Sequence, residues 1–318
     1  MKHLFLCLLL TLSSCNKQSS CNDMIIEYAG AEIVELVDAE DYSAIEREYS
    51  LSYDEQRKTG TIKIVLPSEM HTLDYEMFSF LPVIKQSDPL AIYEMATSIV
   101  IPSGITKIDE GTFDGWEALQ SITIPESVIE IGVDAFCDCS SLESITIPKS
   151  IIEIGEDAFD GCSSLVSIMV DKDNPVFDSR NQCNAIIETG TNTLILGCSN
   201  TIIPEGVTSI GNGAFSGSNL TSLIIPEGVT SIGDYAFTSC ELTTITIPES
   251  VTSIGNKAFS HCTSLTTVTI PKNSKLTSIG NYAFLYCINL TTIIIPESVT
   301  SIGDRPFQNC GKLNVATP

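Results

Sequence analysis

Short alternations of apolar and polar residues recur along the chain from about residue 97. In one such unit, LTTITIPESVTSIGNKAFSHC at 242–262, Ile245 and Ile247 alternate with polar neighbours, which is the period of a β-strand with one buried face. Pro248 ends this strand, and Gly255 permits a tight bend in the segment that follows. The side chains expected to turn inward on the return path are Val251, Ile254, Ala258, Phe259 and Cys262. Each unit therefore predicts one strand and one loose return path.

The units repeat at a nearly fixed period. The prolines that mark them are Pro102, Pro125, Pro148, Pro204, Pro226, Pro248, Pro271 and Pro296. Six of the seven intervals are 22 to 25 residues long, and the interval of 56 holds one more unit, with Asp171 in the proline position, plus an insertion of about ten residues. A period in the twenties is typical of a solenoid, whereas helical-pair repeats need about 34 residues and are excluded by length.

A single coil of this length buries too few apolar side chains to offset the conformational entropy lost when its backbone is ordered. Stacking supplies the missing interior, because each strand pairs with the next at about 4.8 Å and each phenylalanine packs on its equivalents above and below. This explains why GVTSIGDYAF, SVTSIGNKAF and SVTSIGDRPF are so alike. Equivalent side chains must meet in successive coils.

The pattern LxxIxIPxxVxxIGxxAFxxC resembles that of the BspA-like leucine-rich repeat family, which occurs on surface and secreted proteins. The resemblance extends from Thr97 to Cys310, about two thirds of the chain. It implies a leucine-rich-repeat-like solenoid, mainly β, with a parallel sheet on the concave face and loops or short turns on the convex side. It also implies a role in adhesion or protein contact and no common catalytic activity.

The N-terminus has the features of an export signal. Lys2 precedes an apolar stretch from Leu4 to Leu12, which is too short to cross a bilayer as a helix. LSSC at 12–15 resembles the lipobox of bacterial lipoproteins, which implies cleavage after Ser14 and lipid attachment to Cys15. The alternative is a plain secretory signal with a chance cysteine. We therefore expect an exported protein at the outer membrane or cell surface, held by its lipid anchor.

The sequence divides into six segments. They are a signal peptide at 1–14, a tether and acidic segment at 15–58, a degenerate capping repeat and linker at 59–96, repeats at 97–169, a hairpin insertion at 170–200, and repeats with the C-terminal end at 201–318. The capping repeat aligns if Pro67 is taken as its proline, since a solenoid needs an atypical coil over its first apolar face. Residues 33–50 before it are expected to form an acidic strand or short helix.

The insertion predicts a β-hairpin, because AII and LIL flank TGTN. A turn centred on Gly190 and Thr191 places Ile187 opposite Leu194 and Cys183 opposite Cys198. This arrangement makes Cys183 and Cys198 the candidate disulfide of an exported protein.

Six further cysteines fall three residues after the repeated phenylalanine: Cys139, Cys162, Cys240, Cys262, Cys287 and Cys310. One interpretation is a row of disulfides or metal ligands. Parallel side chains on adjacent coils point alike rather than toward each other, however, and Trp116 and Ser218 occupy the same position in other coils. The pattern favours small buried thiols.

The acidic composition of the chain excludes some classes of binding partner. The chain has 16 Lys and Arg against 40 Asp and Glu, a formal net charge of −24. Nucleic acid binding needs clustered basic residues, and anionic lipid would repel this charge, so we expect no nucleic acid partner and membrane contact through the lipid anchor only. No cofactor is predicted.

The sequence offers little for catalysis or for metal binding. His71 and His261 lie in different coils and in no nucleophile or metal motif, and His261 occupies a variable position expected at the surface. No catalytic residue and no metal ligand is predicted, and we expect a protein that is not an enzyme.

The best candidate binding surface is the concave sheet, at the outward residues two positions before each proline. They are Thr123, Thr146, Met169, Ile202, Ile224, Thr246, Thr269 and Ile294. These small hydroxyls and aliphatics include no aromatic ring for a sugar, so contact with a host or bacterial surface protein is favoured. Hydroxyl ladders also stabilise sheets by themselves. The alternative function is glycan binding within a surface nutrient-capture system.

Overall fold

The structure is a computed structural model that describes residues 96–316 and, before them, the backbone of five strands. These five strands are β1 (Asp23–Ala29), β2 (Glu35–Asp38), β3 (Thr61–Val65), β4 (Val83–Ile84) and β5 (Leu90–Ala91). The predicted signal peptide at 1–14 and the predicted lipidation site Cys15 lie outside the described residues. Among the residues that are described, no helix is long and apolar enough to cross a membrane.

The first coils contain two kinds of strand, one before the proline and one after it. In chain order they are β6 (Ala96–Val100), β7 (Lys107–Ile108), β8 (Ser121–Thr123), β9 (Glu130–Ile131), β10 (Ser144–Ile147), β11 (Glu153–Ile154) and β12 (Ser167–Val170). We call β6, β8, β10 and β12 sheet strands and the two-residue strands β7, β9 and β11 return strands. Each kind forms its own parallel ladder. The return path is therefore not a single loose segment, because its Ile positions form a second ladder.

The insertion at 170–200 contains an antiparallel hairpin. Its strands are β13 (Phe177–Asp178), β14 (Ala185–Glu188) and β15 (Thr193–Gly197), with a 3-10 turn at Arg180–Gln182. β15 continues into the repeat array, since Leu194 pairs in parallel with Ile210 of the next return strand. The hairpin thus extends the ladder of return strands at the point where the period is broken.

The remaining coils stack in the same way. Their strands are β16 (Ser209–Ile210), β17 (Ser231–Ile232), β18 (Thr244–Thr246), β19 (Ser253–Ile254), β20 (Thr267–Thr269), β21 (Ser278–Ile279), β22 (Thr292–Ile294), β23 (Ser301–Ile302) and β24 (Asn314–Ala316). The predicted fold class is confirmed as a mainly β solenoid with parallel sheets, of about nine turns. Residues 201–204 and 218–226 belong to no strand, so the sheet strands form two separate ladders.

The strands before the array join its first coil. β3 pairs in parallel with β6, with Ile64 opposite Ile99 and Val65 opposite Val100. Pro67, on which the prediction of a capping repeat depends, lies outside the described residues. β1 pairs antiparallel with both β3 and β2, so a hairpin lies beyond the first coil. β2 is the strand found within the acidic segment at 33–50; the rest of that segment is outside the described residues.

The core is built on two columns of stacked phenylalanines. Neighbouring ring centroids lie 5.0 to 5.5 Å apart within the columns Phe113, Phe136, Phe159 and Phe215, Phe237, Phe259, Phe284, Phe307. The insertion separates the columns and also separates two buried apolar clusters. Each interior coil packs its apolar side chains against the coil before it and the coil after it, so the coils form a continuous core on either side of the insertion.

The glycine after each return strand is required by contact between coils. A Cβ atom on Gly255 would lie 2.5 Å from the carbonyl carbon of Gly233 and 2.6 Å from the amide nitrogen of Asp234, in the coil before it. Real Cβ atoms essentially never approach that closely. Gly255 therefore allows two backbones to touch, rather than the tight bend that the sequence suggested.

Most coils have two residues with left-handed backbone. The first lies two positions before the buried phenylalanine, and the second lies two positions after it. We call the surface formed by these residues the turn face. In the first coils they are Gly111, Gly115, Asp134, Asp138, Asp157, Gly161, Gly213 and Gly217. In the last four coils they are Tyr235, Ser239, Lys257, His261, Tyr282, Tyr286, Arg305 and Asn309. This conformation costs an L-residue roughly 1–2 kcal/mol, which explains the glycines.

Candidate functional site

The sheet face is the set of outward residues that the sequence places two positions before each proline. The structure leaves all eight of these side chains exposed: Thr123, Thr146, Met169, Ile202, Ile224, Thr246, Thr269 and Ile294. Parallel pairing aligns those that lie in sheet strands across neighbouring coils, with Thr146 opposite Met169 and Thr246 opposite Thr269. The ladder register therefore brings residues about 23 positions apart into rows on one surface.

The middle of the sheet face is apolar. Met169, Ile202 and Ile224 stand in three successive coils and are 56%, 74% and 86% exposed. Ile202 and Ile224 lie in the two coils that have no sheet strand. Ile202 and Ile224 stand at equivalent positions of adjacent coils, and exposed aliphatic side chains grouped in this way are typical of a contact with another macromolecule.

The predicted disulfide between Cys183 and Cys198 is wrong, because both residues are free thiols in the structure. The hairpin does pair Ile187 with Leu194, as predicted, but a bulge at Ile186 and Ile187 shifts the rest of the ladder by one residue. The Cys198 thiol contacts the carbonyl oxygen of Asn184 at 3.5 Å. The two cysteines also enter different apolar clusters, one on each side of the insertion.

The six register cysteines are free thiols that donate hydrogen bonds to the coil before them. The donors Cys139, Cys162, Cys240, Cys262, Cys287 and Cys310 lie 3.0 to 3.2 Å from the carbonyl oxygens of Phe113, Phe136, Phe215, Phe237, Phe259 and Phe284. Burial raises the pKa of Cys240 to about 12 and also raises that of Cys262. Cys240 and Cys262 therefore stay protonated at neutral pH, which suits a structural role.

Two features limit the chemistry at His261. Its Nδ1 lies 2.7 Å from the hydroxyl oxygen of Ser260, but Ser260 is buried and out of reach of a substrate. The imidazole stacks on Tyr286, with ring centroids 4.9 Å apart. His261 is exposed, as predicted from its variable position.

The turn face of the first coils is acidic, a feature that sequence reasoning missed. Ligand atoms of Asp114, Cys137 and Asp138 lie within 4.8 Å of one another. Burial and neighbouring carboxylates raise the pKa of Cys137 to about 12 and also raise the pKa of Asp138. The signal was present in the sequence, since aspartates recur beside the phenylalanine in successive units. That these aspartates lie close together becomes clear only when the coils are stacked.

Replacement of Asp138 by asparagine is expected to stabilise the protein. A carboxyl whose pKa is raised in the folded state contributes stability below its ordinary pKa, and this is lost as pH rises through the folded pKa. At pH 7 the carboxylate repels its neighbours, so Asp138→Asn should add about 0.5 kcal/mol, a size usual for exposed charges. Thermal melts at pH 7 and at about pH 3.5 should show the gain only at the higher pH.

Asp178 provides the opposite control. Burial raises its pKa, but hydrogen bonds from the Arg180 side chain and backbone amide outweigh this effect, and the pKa is lowered overall. Its stabilising contribution is present above its ordinary pKa and is lost as pH falls. Asp178→Asn should therefore destabilise the protein at pH 7, and a gain like that of Asp138→Asn would contradict the electrostatic explanation.

Comparison with known proteins gives the same fold. The chain is 33% identical to a leucine rich cell surface protein from Faecalibacterium prausnitzii, with a TM-score of 0.62 over 70% of this chain and 60% of that one. It is 22% identical to the pneumococcal vaccine antigen PcpA, with a TM-score of 0.53 over 70% of this chain and 51% of that one. The chain thus spans less than two thirds of either relative. No curated protein matches.

A family model describes the repeats directly. The model of the BspA type leucine rich repeat region matches six copies, at residues 93–189 and 195–314. These ranges contain both phenylalanine columns and nearly all of the ladder strands. The chain therefore belongs to the BspA type leucine rich repeat family.

Proposed function

We propose that this protein is an exported, lipid-anchored surface protein whose sheet face binds another protein, as in adhesion. Leucine-rich repeats generally mediate protein contacts, and one relative is a cell surface protein. The observation that carries the proposal is the exposed apolar patch of Met169, Ile202 and Ile224 in three successive coils. Full burial of an aliphatic side chain of this size contributes about 1.5 to 3 kcal/mol, so these three residues can supply a large share of the favourable free energy of a contact.

The sheet face suits a protein partner better than a sugar. Its exposed residues are threonines and aliphatic side chains, and none of the eight is aromatic or charged. Protein interfaces place apolar side chains at their centre and polar groups at the rim. Here the aliphatic patch is central, and the threonines Thr123, Thr146, Thr246 and Thr269 lie toward the two ends.

The proposal includes no catalysis. Ser260, the hydroxyl nearest to the imidazole of His261, is buried. The register thiols donate hydrogen bonds to backbone carbonyl oxygens, and burial raises the pKa of Cys240 and of Cys262. Neither group is placed as a nucleophile that a substrate can reach.

The lipid anchor is proposed from the sequence of the leader. Cleavage after Ser14 would leave Cys15 as the first residue of the mature protein, with its sulfur free for lipid attachment. Two or more acyl chains hold a protein firmly on a membrane, whereas a single chain does not.

One experiment tests both parts of the proposal. Cells producing the full chain are compared with cells producing Ile202→Ser with Ile224→Ser, or Cys15→Ala, and a photoreactive amino acid at Thr246 traps the bound partner. The double sheet-face variant should reduce the trapped protein at least tenfold, which corresponds to about 1.4 kcal/mol. Cys15→Ala should move the protein from the membrane fraction to the soluble fraction.

The matched control is Ile129→Ser with Ile152→Ser. These two isoleucines are 48% and 54% exposed but stand on the return path, away from the sheet face. Equal trapping by the control and the sheet-face variant would contradict binding at the sheet face. Cys15→Ala protein that remained in the membrane fraction would contradict the lipid anchor.

A further inference from the structure

The turn face changes character along the array. In the last four coils its left-handed positions include three tyrosines and a histidine, in place of the glycines and aspartates of earlier coils. We call Tyr235, His261, Tyr282 and Tyr286 the aromatic ladder. The sheet face has no aromatic side chain at its eight positions, so this ladder is a different surface with a different chemistry.

Packing in the interior of the protein does not explain why these positions are aromatic. Tyr235 and Tyr286 are 42% and 44% exposed and His261 is also exposed, so the rings contribute only part of their surface to packing. Left-handed backbone is an unfavourable conformation for bulky side chains, and glycine stands at equivalent positions such as Gly115 and Gly217. Exposed rings held in an unfavourable backbone conformation point to a role at the surface.

The rings of the ladder are held in fixed positions. His261 and Tyr286 stack with centroids 4.9 Å apart and planes 25° apart, and the Ser260 hydroxyl fixes the His261 ring at 2.7 Å. Lys257 lies 4.9 Å from the centre of the Tyr235 ring and donates to its hydroxyl at 3.1 Å. The Tyr282 hydroxyl donates to Asp304 at 3.3 Å. Such preorganisation lowers the entropy that a ligand must remove on binding.

The ladder lies in the neutral part of the array. Residues 228–313 contain five Asp and Glu and five Lys and Arg, whereas residues 97–227 contain 19 and four. The cations near the rings already have partners, since Lys257 binds Tyr235, Arg305 lies 3.8 Å from Asp304, and Lys312 donates to Asn289. This surface therefore does not suit a strongly charged ligand.

We propose that the aromatic ladder binds a neutral carbohydrate chain. Sugar rings present flat faces of C–H groups that stack on aromatic rings, and their hydroxyls bond to amides and hydroxyls such as Asn309 and Ser239 beside the ladder. The rings of His261 and Tyr286, in adjacent coils, lie 4.9 Å apart, which is close to the length of one hexose unit. This site is independent of the protein contact proposed for the sheet face, because it lies on the turn face.

The test is affinity electrophoresis of the full chain carrying Cys15→Ala, which prevents lipid attachment. The gels contain a soluble β-glucan, an α-glucan, a galactan or a mannan. At least one of these polysaccharides should retard the protein. Tyr286→Gly and Tyr235→Gly should each weaken that interaction at least tenfold, while their melting temperatures stay the same or rise, because glycine favours the left-handed conformation.

Asp138→Gly is the matched control. Asp138 has the same register position as Tyr286 and the same left-handed backbone. Its replacement by glycine therefore removes the same backbone strain but no aromatic ring. It should leave retardation unchanged. The proposal is overturned if none of the four polysaccharides retards the protein, if the tyrosine variants bind as before, or if Ile202→Ser with Ile224→Ser removes the retardation instead.

Discussion

Phe259→Ala is expected to lower the free energy of unfolding by about 4 kcal/mol, within the range for deleting a buried phenylalanine. The ring is fully buried and stacks at 5.0 Å on Phe237 and at 5.2 Å on Phe284. Because neighbouring coils lose a contact on both sides, the cavity weakens two interfaces at once. Urea denaturation followed by circular dichroism measures the loss, and the transition should become broader or split into two.

Phe307→Ala is the comparison that tests the column argument. Phe307 is partly exposed and has one ring partner, Phe284 at 5.5 Å. Its replacement should lower stability by about half as much and leave a single transition. If the two variants lose the same free energy, burial within the column does not set the contribution of each ring.

Much of the fold could be predicted because the repeat fixes it. The period of 22 to 25 residues determines which side chains meet, so the buried positions of Ile254, Ala258 and Phe259 follow from one unit and hold for the others. The same alignment predicts a degenerate coil at Pro67, and the strand before it pairs with β6 in the register Val65 opposite Val100. The exposure of the six sheet-face residues that lie in strands follows from strand alternation, and Ile202 and Ile224 are exposed at the same register position without a strand.

Other features depend on contacts that one unit cannot show. The bulge at Ile186 and Ile187 shifts the hairpin register by one residue, which separates Cys183 from Cys198. The second ladder arises because two residues of the return path, such as Ser253 and Ile254, align with those of the next coil. Two residues are too few for alternation to reveal a strand. The aromatic ladder was missed because residues such as His261 and Tyr286 are 25 positions apart and become neighbours only in stacked coils.

Gly255→Ala is expected to lower the free energy of unfolding by about 2 to 3 kcal/mol, although it adds one methyl group. Overpacking costs this much when the neighbouring atoms cannot move aside. The atoms that the new Cβ would meet include the backbone of Gly233 and Asp234, at 2.5 and 2.6 Å. That backbone is held in place, since the Gly255 amide donates to the carbonyl oxygen of Ile232 at 2.9 Å and Ile232 pairs with Ile254. The coils must therefore separate locally, which weakens the ladder. Thermal and urea unfolding measure the loss.

Gly190→Ala makes the same chemical change where nothing lies within 4 Å of the added atom. It should be neutral or slightly stabilising, because alanine restricts the unfolded chain more than glycine does. A small and equal effect of both substitutions would mean that the coils do not touch at Gly255. A large effect at Gly255 alone would show that the repeated glycine is retained for close stacking, because a need for tight bending would tolerate alanine at a position without left-handed backbone.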